Sequence, residues 1–202
     1  MSLVRAPRRI LLATGAGALA AVLTLSACSG DLNGKSGGGD DTNFVTGTGG
    51  ISTVAKGKRT AAPALTGEDL AGKPLALADY KGKITVVNTW GSWCSPCRGE
   101  AEYLEKVAKE TKGKGVEFVG INTRDDETGP ARAFEEEFGV TYPSFHDPDG
   151  RLILEFPKGT LSPQAIPTTI VLDREGKIAA RALRPLDDKA LRSMIDPLVA
   201  EK

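Results

Sequence analysis

The segment "NTWGSWCSPCRGE", residues 88–100, places Cys94 and Cys97 two residues apart, with Ser95 and Pro96 between them and Glu100 three residues further on. Cys28 is the only other cysteine of the chain. A Cys-x-x-Cys pair admits three chemistries: metal ligation, a structural staple, or thiol–disulfide exchange. Structural zinc takes four Cys or His ligands. The candidates here are Cys94, Cys97, Cys28 and the single His146, and Cys28 has another use, given below. A disulfide across two intervening residues closes too short a loop to remove much unfolded-state entropy, so a staple here would stabilise weakly.

Position favours exchange. "ITVVNTW", ahead of the pair, is β-branched and apolar nearly throughout, the pattern of a buried central strand. Pro96 fits the first turn of a helix, where its missing N–H costs nothing. A strand running into a helix puts Cys94 at the helix N-terminus, where unpaired amides and the macrodipole stabilise a thiolate. Cys97, one turn on, lies under the helix as the resolving thiol. Glu100 follows Cys97 by the same three residues, so all three share one helical face. If that face is inward, poor solvation raises the carboxyl's pKa and makes it a general base for the Cys97 proton. If it is outward, Glu100 joins Glu102 as a surface acid worth under about 1 kcal/mol to the helix dipole.

The elements that position these residues read as an alternating α/β chain. "LTGEDLAGKPLALADYKGK" carries hairpin punctuation at Gly72-Lys73-Pro74. After the buried strand, Ala101, Leu104, Val107 and Ala108 recur at helical spacing from Pro96 to about Lys112, where "KGKG" ends the run. "VEFVGINT" is a second strand and "GPARAFEEEFG" a second helix. "TTIVLD" and "KIAARAL" form a hairpin through Arg174-Glu175-Gly176, and "DDKALRSMIDPLVAE" is a closing helix. His146, in "SFHDPDG", reads as a solvated turn residue. The order β, α, β, α, β, β, α predicts an α/β sandwich with a mixed sheet.

Outside this domain the chain reads differently. "MSLVRAPRR" followed by "ILLATGAGALAAVLTL" has the basic start and short apolar run of an export signal. It is too short and too rich in Gly and Ala for a stable membrane span. "TGAGALA" matches a dinucleotide fingerprint but has no strand before it. Arg8-Arg9 leaves the choice between general and twin-arginine export open. Residues 28–60, rich in Gly, Ser and Thr, bury too little apolar surface to offset the entropy of ordering and are expected to be a flexible tether reaching roughly 30 Å. The predicted organisation is therefore a signal over 1–27, a tether over 28–60 and a folded domain over 61–202. Lys+Arg and Asp+Glu both number 26, and loss of Arg5, Arg8 and Arg9 with the signal leaves a net charge of −3. Such a balance excludes nucleic acid as a partner.

"VVNTWGSWCSPCRGE", "LAGKPLALADYKGK" and "AIPTTIVLDREGKIAAR" together resemble the thioredoxin-like superfamily, in particular its membrane-tethered TlpA/ResA branch, over nearly all of residues 61–202. The resemblance implies a thioredoxin fold with a short N-terminal β-hairpin extension and a dithiol enzyme acting outside the cytoplasmic membrane on exported proteins, some members on apocytochrome c. It implies that Pro167, after Ile166, is a cis-proline exposing backbone to an extended substrate. Trp93, Ser95 and Pro96 would complete the substrate surface, and Glu100 matches an active-site glutamate. Asn88 departs from cytoplasmic thioredoxins, which have a buried Asp there. "LSAC", residues 25–28, resembles the bacterial lipobox, which would acylate Cys28 and tether the protein to the membrane. No cofactor beyond the Cys94–Cys97 dithiol is expected, a membrane donor of the dithiol-transfer type would recharge it, and the chain is read as a monomer. Two other functions are weighed: a peroxide-reducing redoxin, and a metal-delivery or binding lipoprotein with an inert pair. A copper site of Cys94, Cys97 and His146 lacks the Cys-x-x-x-Cys spacing of copper-delivery proteins of related fold.

Overall fold

A computed structural model describes residues 43–201, so the export signal, Arg8-Arg9 and Cys28 lie outside the described residues. Two short strands, β1 (Val45–Thr46) and β2 (Ile51–Thr53), precede a hairpin of β3 (Thr66–Glu68) and β4 (Pro74–Ala76). There follow β5 (Ile84–Trp90), α1 (Ser95–Thr111), β6 (Val116–Thr123), α2 (Thr128–Phe138) and β7 (Ser144–Asp147). The single turn α3 (Arg151–Leu154), β8 (Thr168–Leu172), β9 (Ile178–Ala182) and α4 (Asp188–Ala200) complete the chain. The main sheet has the order β1-β2-β9-β8-β5-β6-β7, with β3-β4 apart from it. β5, β6 and β7 are mutually parallel, and β8, β9, β2 and β1 add antiparallel.

All seven residues of β5 are buried, as its unbroken apolar pattern requires. The crossovers β5-α1-β6 and β6-α2-β7 advance in the same direction, so their right-handedness puts α1 and α2 on one face of the sheet. On that face Val86 and Phe118 pack with Leu104 and Val107 of α1 and with Leu191, Met194 and Ile195 of α4. Val87, Val119, Ile121 and Ile170 point the other way, beneath Leu65, Leu77, Ile153 and Phe156. Strand alternation then fixes the orientation of two further β5 residues: Asn88 and Trp90 share the face of Val86 and look toward the helices.

Three expectations are corrected. The ordered fold begins well before residue 61. β2 pairs with the free edge of β9 through Ile51↔Ala182, Ser52↔Arg181 and Thr53↔Ala180, and Ile178 N donates to Thr60 O at 2.8 Å. Arg59, with its side chain only 5% exposed, bridges Asp173 at 3.1 Å and Glu201 at 2.6 Å. Backbone pairing, one ion cluster and a few apolar anchors (buried Val54, with Ile51 and Phe44 against the core) thus order a segment whose composition is rich in Gly, Ser and Thr. Second, an additional strand, β7, and the turn α3 occupy the stretch read as irregular. Third, His146 is a half-buried β7 residue whose Nε2 lies 2.9 Å from Asp125 O, not a solvated turn residue.

Candidate active site

α1 begins where β5 ends, as the sequence requires. Cys94 is the N-cap residue of α1, with extended backbone (φ −87°, ψ 103°), and Pro96 stands in the first turn. Cys94 and Cys97 form a disulfide with a Cα–Cα distance of 5.3 Å. The Cys97 amide donates to Cys94 Sγ at 3.2 Å, a cap in which sulfur takes the role usually given to a Ser or Asp oxygen. Negative charge developing on that sulfur meets an amide already aimed at it. Both cysteines are covered, Cys94 at 3% and Cys97 at 1% exposure. Position on the helix therefore separates attacker from resolver, and accessibility does not. Ser95 and Pro96 between them are exposed.

Glu100 lies inward. At 1% exposure its carboxylate accepts from Asn88 Nδ2 at 2.9 Å and from Leu186 N at 2.8 Å. Asn88 also donates to Thr169 Oγ1 at 3.1 Å, so the residue in the usual acid position serves as a donor that holds the carboxylate. Burial raises the Glu100 pKa to about 7, against the lowering influence of those two hydrogen bonds. A cavity of about 10 Å³, room for about one water, opens beside Cys97 and is lined also by Asn88, Leu104 and Tyr142. Glu102 is exposed, so the helical phase separates the two acids as the inward reading requires.

Around the disulfide, Trp93 is 48% exposed and its Nε1 donates to Thr123 O at 3.2 Å. Gly91 makes that possible, because a Cβ there would stand 2.5 Å from Trp93 Nε1. Trp90 is instead a core residue, stacked on Phe134 at 4.4 Å. The Ile166–Pro167 bond is cis, and Ile166 packs against the apolar cluster that contains both cysteines. Cys94, Cys97, Glu100, Trp93, Ser95, Pro96 and the Ile166–Pro167 turn are thus all placed at or around the start of α1.

Sequence reasoning missed several neighbours. Asp125 binds Ser92 through N at 2.9 Å and Oγ at 2.5 Å, and accepts from Asn122 Nδ2 at 2.6 Å, locking the loop before Cys94. Its position just past the end of a parallel strand was the available signal, since sites in such sheets gather at carboxyl ends. Glu135 accepts from Ser144 Oγ at 2.8 Å, which in turn accepts from Trp90 Nε1 at 3.2 Å. Burial lifts the Glu135 pKa to about 7, with the Ser144 hydrogen bond opposing and Asp69 adding to the rise. No sequence pattern marks Glu135 among the three glutamates of α2. Among the described residues no group of three or more His, Cys, Asp or Glu could hold a metal ion, and no helix is long and apolar enough to cross a membrane.

A mixed sheet with a Cys-x-x-Cys disulfide capping the helix after its central strand defines a thioredoxin-like fold with a redox-active centre. The Redoxin family model matches residues 56–195. The thiol-disulfide oxidoreductase ResA of Bacillus thuringiensis (strain Al Hakam) is 33% identical over 123 residues, 60% of this chain and 67% of that protein. A DsbF homologue from Corynebacterium diphtheriae is 37% identical with a TM-score of 0.69, covering 76% of this chain and 96% of the other. A secreted thiol-disulfide isomerase from Corynebacterium glutamicum is 32% identical with a TM-score of 0.71, covering 79% and 98%. The chain belongs to the Redoxin family, within the thioredoxin-like ResA/TlpA-type proteins, and is a thiol-disulfide oxidoreductase.

Proposed function

We propose that this protein reduces disulfides in exported proteins, apocytochrome c among them, on the extracytoplasmic side of the membrane. The observation that carries the exchange chemistry is the Cys94–Cys97 disulfide at the start of α1, with the buried Glu100, a proton acceptor poised near neutrality, on the same helix. In the reduced protein the Cys94 thiolate attacks a substrate disulfide, forming a mixed disulfide and releasing one substrate thiolate. Glu100, directly or through a water, takes the Cys97 proton. The Cys97 thiolate then attacks Cys94 Sγ, re-forming the Cys94–Cys97 disulfide and expelling the second substrate thiolate. Two electrons pass to the substrate, and a membrane donor of the dithiol-transfer type restores the protein dithiol. Trp93, Ser95, Pro96, Ile166 and Pro167 form the surface on which an extended substrate lies. The "LSAC" motif and the secreted relative support export and an acyl anchor at Cys28, which leaves the domain tethered to the membrane.

Cys97→Ser in cells should trap mixed disulfides between Cys94 and exported proteins, and Cys94→Ser should trap none. Equal trapping by both, or by neither, overturns the assignment of attacker and resolver. The peroxide-reducing alternative requires the reduced protein to consume peroxide as readily as it reduces a peptide disulfide. The metal-delivery alternative requires stoichiometric copper binding to the reduced protein.

A further inference from the structure

Next to the dithiol an exposed arginine, Arg124, has no acidic partner among the described residues. Arg124, the first residue after β6, has φ 57°, a left-handed conformation that a long side chain adopts only under constraint. Its two neighbours account for this. Thr123 O receives Trp93 Nε1, and the Asp125 carboxylate receives Ser92 N and Oγ while Asp125 O meets His146 Nε2. With both flanking residues tied to other segments, the Arg124 guanidinium lies over Trp93, its Cζ 4.1 Å from the ring centroid.

The contact leaves its recognition chemistry free. A cation over an aromatic face uses the ring quadrupole and none of the five guanidinium N–H donors. Stacking also immobilises the side chain beforehand, so less freedom is lost when the fork closes on a ligand. Arg98, at the start of α1, is already engaged by Glu137 and the rings of Phe134 and Phe138. Asp125, Asp126 and Glu127 follow Arg124, so the corner is net acidic and long-range attraction does not bring a carboxylate to it. What the site offers is a contact, planar and bidentate, one residue away from Cys94 in the surface formed by Trp93.

We infer that Arg124 is a specificity residue that binds a carboxylate of the substrate, from an Asp or Glu side chain flanking the reacting cysteine. The inference rests on the disulfide-reductase reading above. It selects among substrates by the charge beside their disulfide and leaves the exchange chemistry to Cys94, Cys97 and Glu100.

The test uses three short disulfide peptides identical except for Glu, Gln or Lys next to the attacked cysteine. The full-length protein in detergent, kept reduced by dithiothreitol, is assayed for kcat/KM on each. Wild type should prefer the Glu over the Gln peptide about tenfold, the size of one charge-assisted pairing. Arg124→Gln should bring that ratio to about one, Arg124→Lys should retain only part of it, and Arg124→Glu should invert it in favour of the Lys peptide. An effect of the cation on the Cys94 thiolate alone would change all three peptides equally and leave the ratio in Arg124→Gln at the wild-type value, which overturns the inference. Equal rates on all three peptides with wild type overturn it too, while leaving the reductase reading standing. Failure to reduce any of the three would instead overturn that reading, and this inference with it.

Discussion

Glu100→Gln should change both the pH dependence of stability and the chemistry. The wild-type carboxyl titrates at about 7 in the fold against 4.5 in the unfolded chain. A raised carboxyl pKa means that the folded state holds the proton more tightly. Its contribution is fully present below pH 4.5 and is lost as pH rises through about 7. At about 1.4 kcal/mol per unit, the loss across that window is about 3 kcal/mol. Glutamine stays neutral throughout. Its carbonyl can accept from Leu186 N, and its amide finds an acceptor once the Asn88 amide turns over, with Thr169 Oγ1 donating in place of accepting. Urea denaturation of the disulfide forms should therefore show the variant gaining about 3 kcal/mol relative to wild type between pH 4 and pH 8. In single-turnover exchange, the variant should resolve its mixed disulfide about 10²-fold more slowly near pH 7, with a flattened pH–rate profile. Glu102→Gln should reproduce neither effect. A stability difference between Glu100→Gln and wild type that does not move with pH, together with wild-type resolution rates from pH 5 to 9, would refute the argument.

Cys28→Ser should release the protein from the membrane fraction or leave it as an unprocessed precursor, read by fractionation and immunoblot. Arg59→Ala should cost about 2–3 kcal/mol in urea denaturation, because it leaves buried Asp173, still held by Glu175 N and Lys177 N, without its cation. It should also open residues 43–60 to limited proteolysis. Gly120→Ala should destabilise by about 1–3 kcal/mol and alter tryptophan emission, since its Cβ would lie 2.7 Å from Trp90 Nε1 and against Ser144 Oγ.

The centre of the molecule was legible because its signals are local and agree with each other. "ITVVNTW" is β5 to the residue, "VEFVGINT" is β6, and the Gly72-Lys73-Pro74 turn joins β3 to β4. Periodicity alone left Glu100 open to either face of α1, since an error of a residue or two in phase changes the face, and the fold places it inward. The edges were not legible. β2 is three residues long in a Gly- and Thr-rich segment, and what orders it is the unpaired edge of β9, a partner more than 120 residues away that leaves no mark on the local sequence. β7 is four residues followed by Pro148-Asp149-Gly150, so turn chemistry outweighed a strand whose burial comes from pairing with β6. The Asp125 lock and the Trp93–Arg124 stack join segments about 30 residues apart, and spacing cannot reveal such contacts.

Moving the acid from the strand to the helix has a mechanistic consequence. An acid at position 88 would reach the dithiol only across the packing of β5 against α1. Glu100 shares one helix with Cys94 and Cys97, so its register to both sulfurs is fixed by helical geometry. Asn88 remains buried opposite it but is neutral. A second carboxylate there would repel Glu100 and drive one of the two pKa values far above neutrality. The amide avoids this while supplying a hydrogen bond that moderates the cost of burying charge. The other hydrogen bond, from Leu186 N, comes from the loop leading into α4, so the proton acceptor is anchored to the sheet and to the closing helix's approach at once. Held by these two donors, Glu100 is a carboxyl of raised pKa on the same helix as Cys97, which is the basis for proposing it as the acceptor of the Cys97 proton.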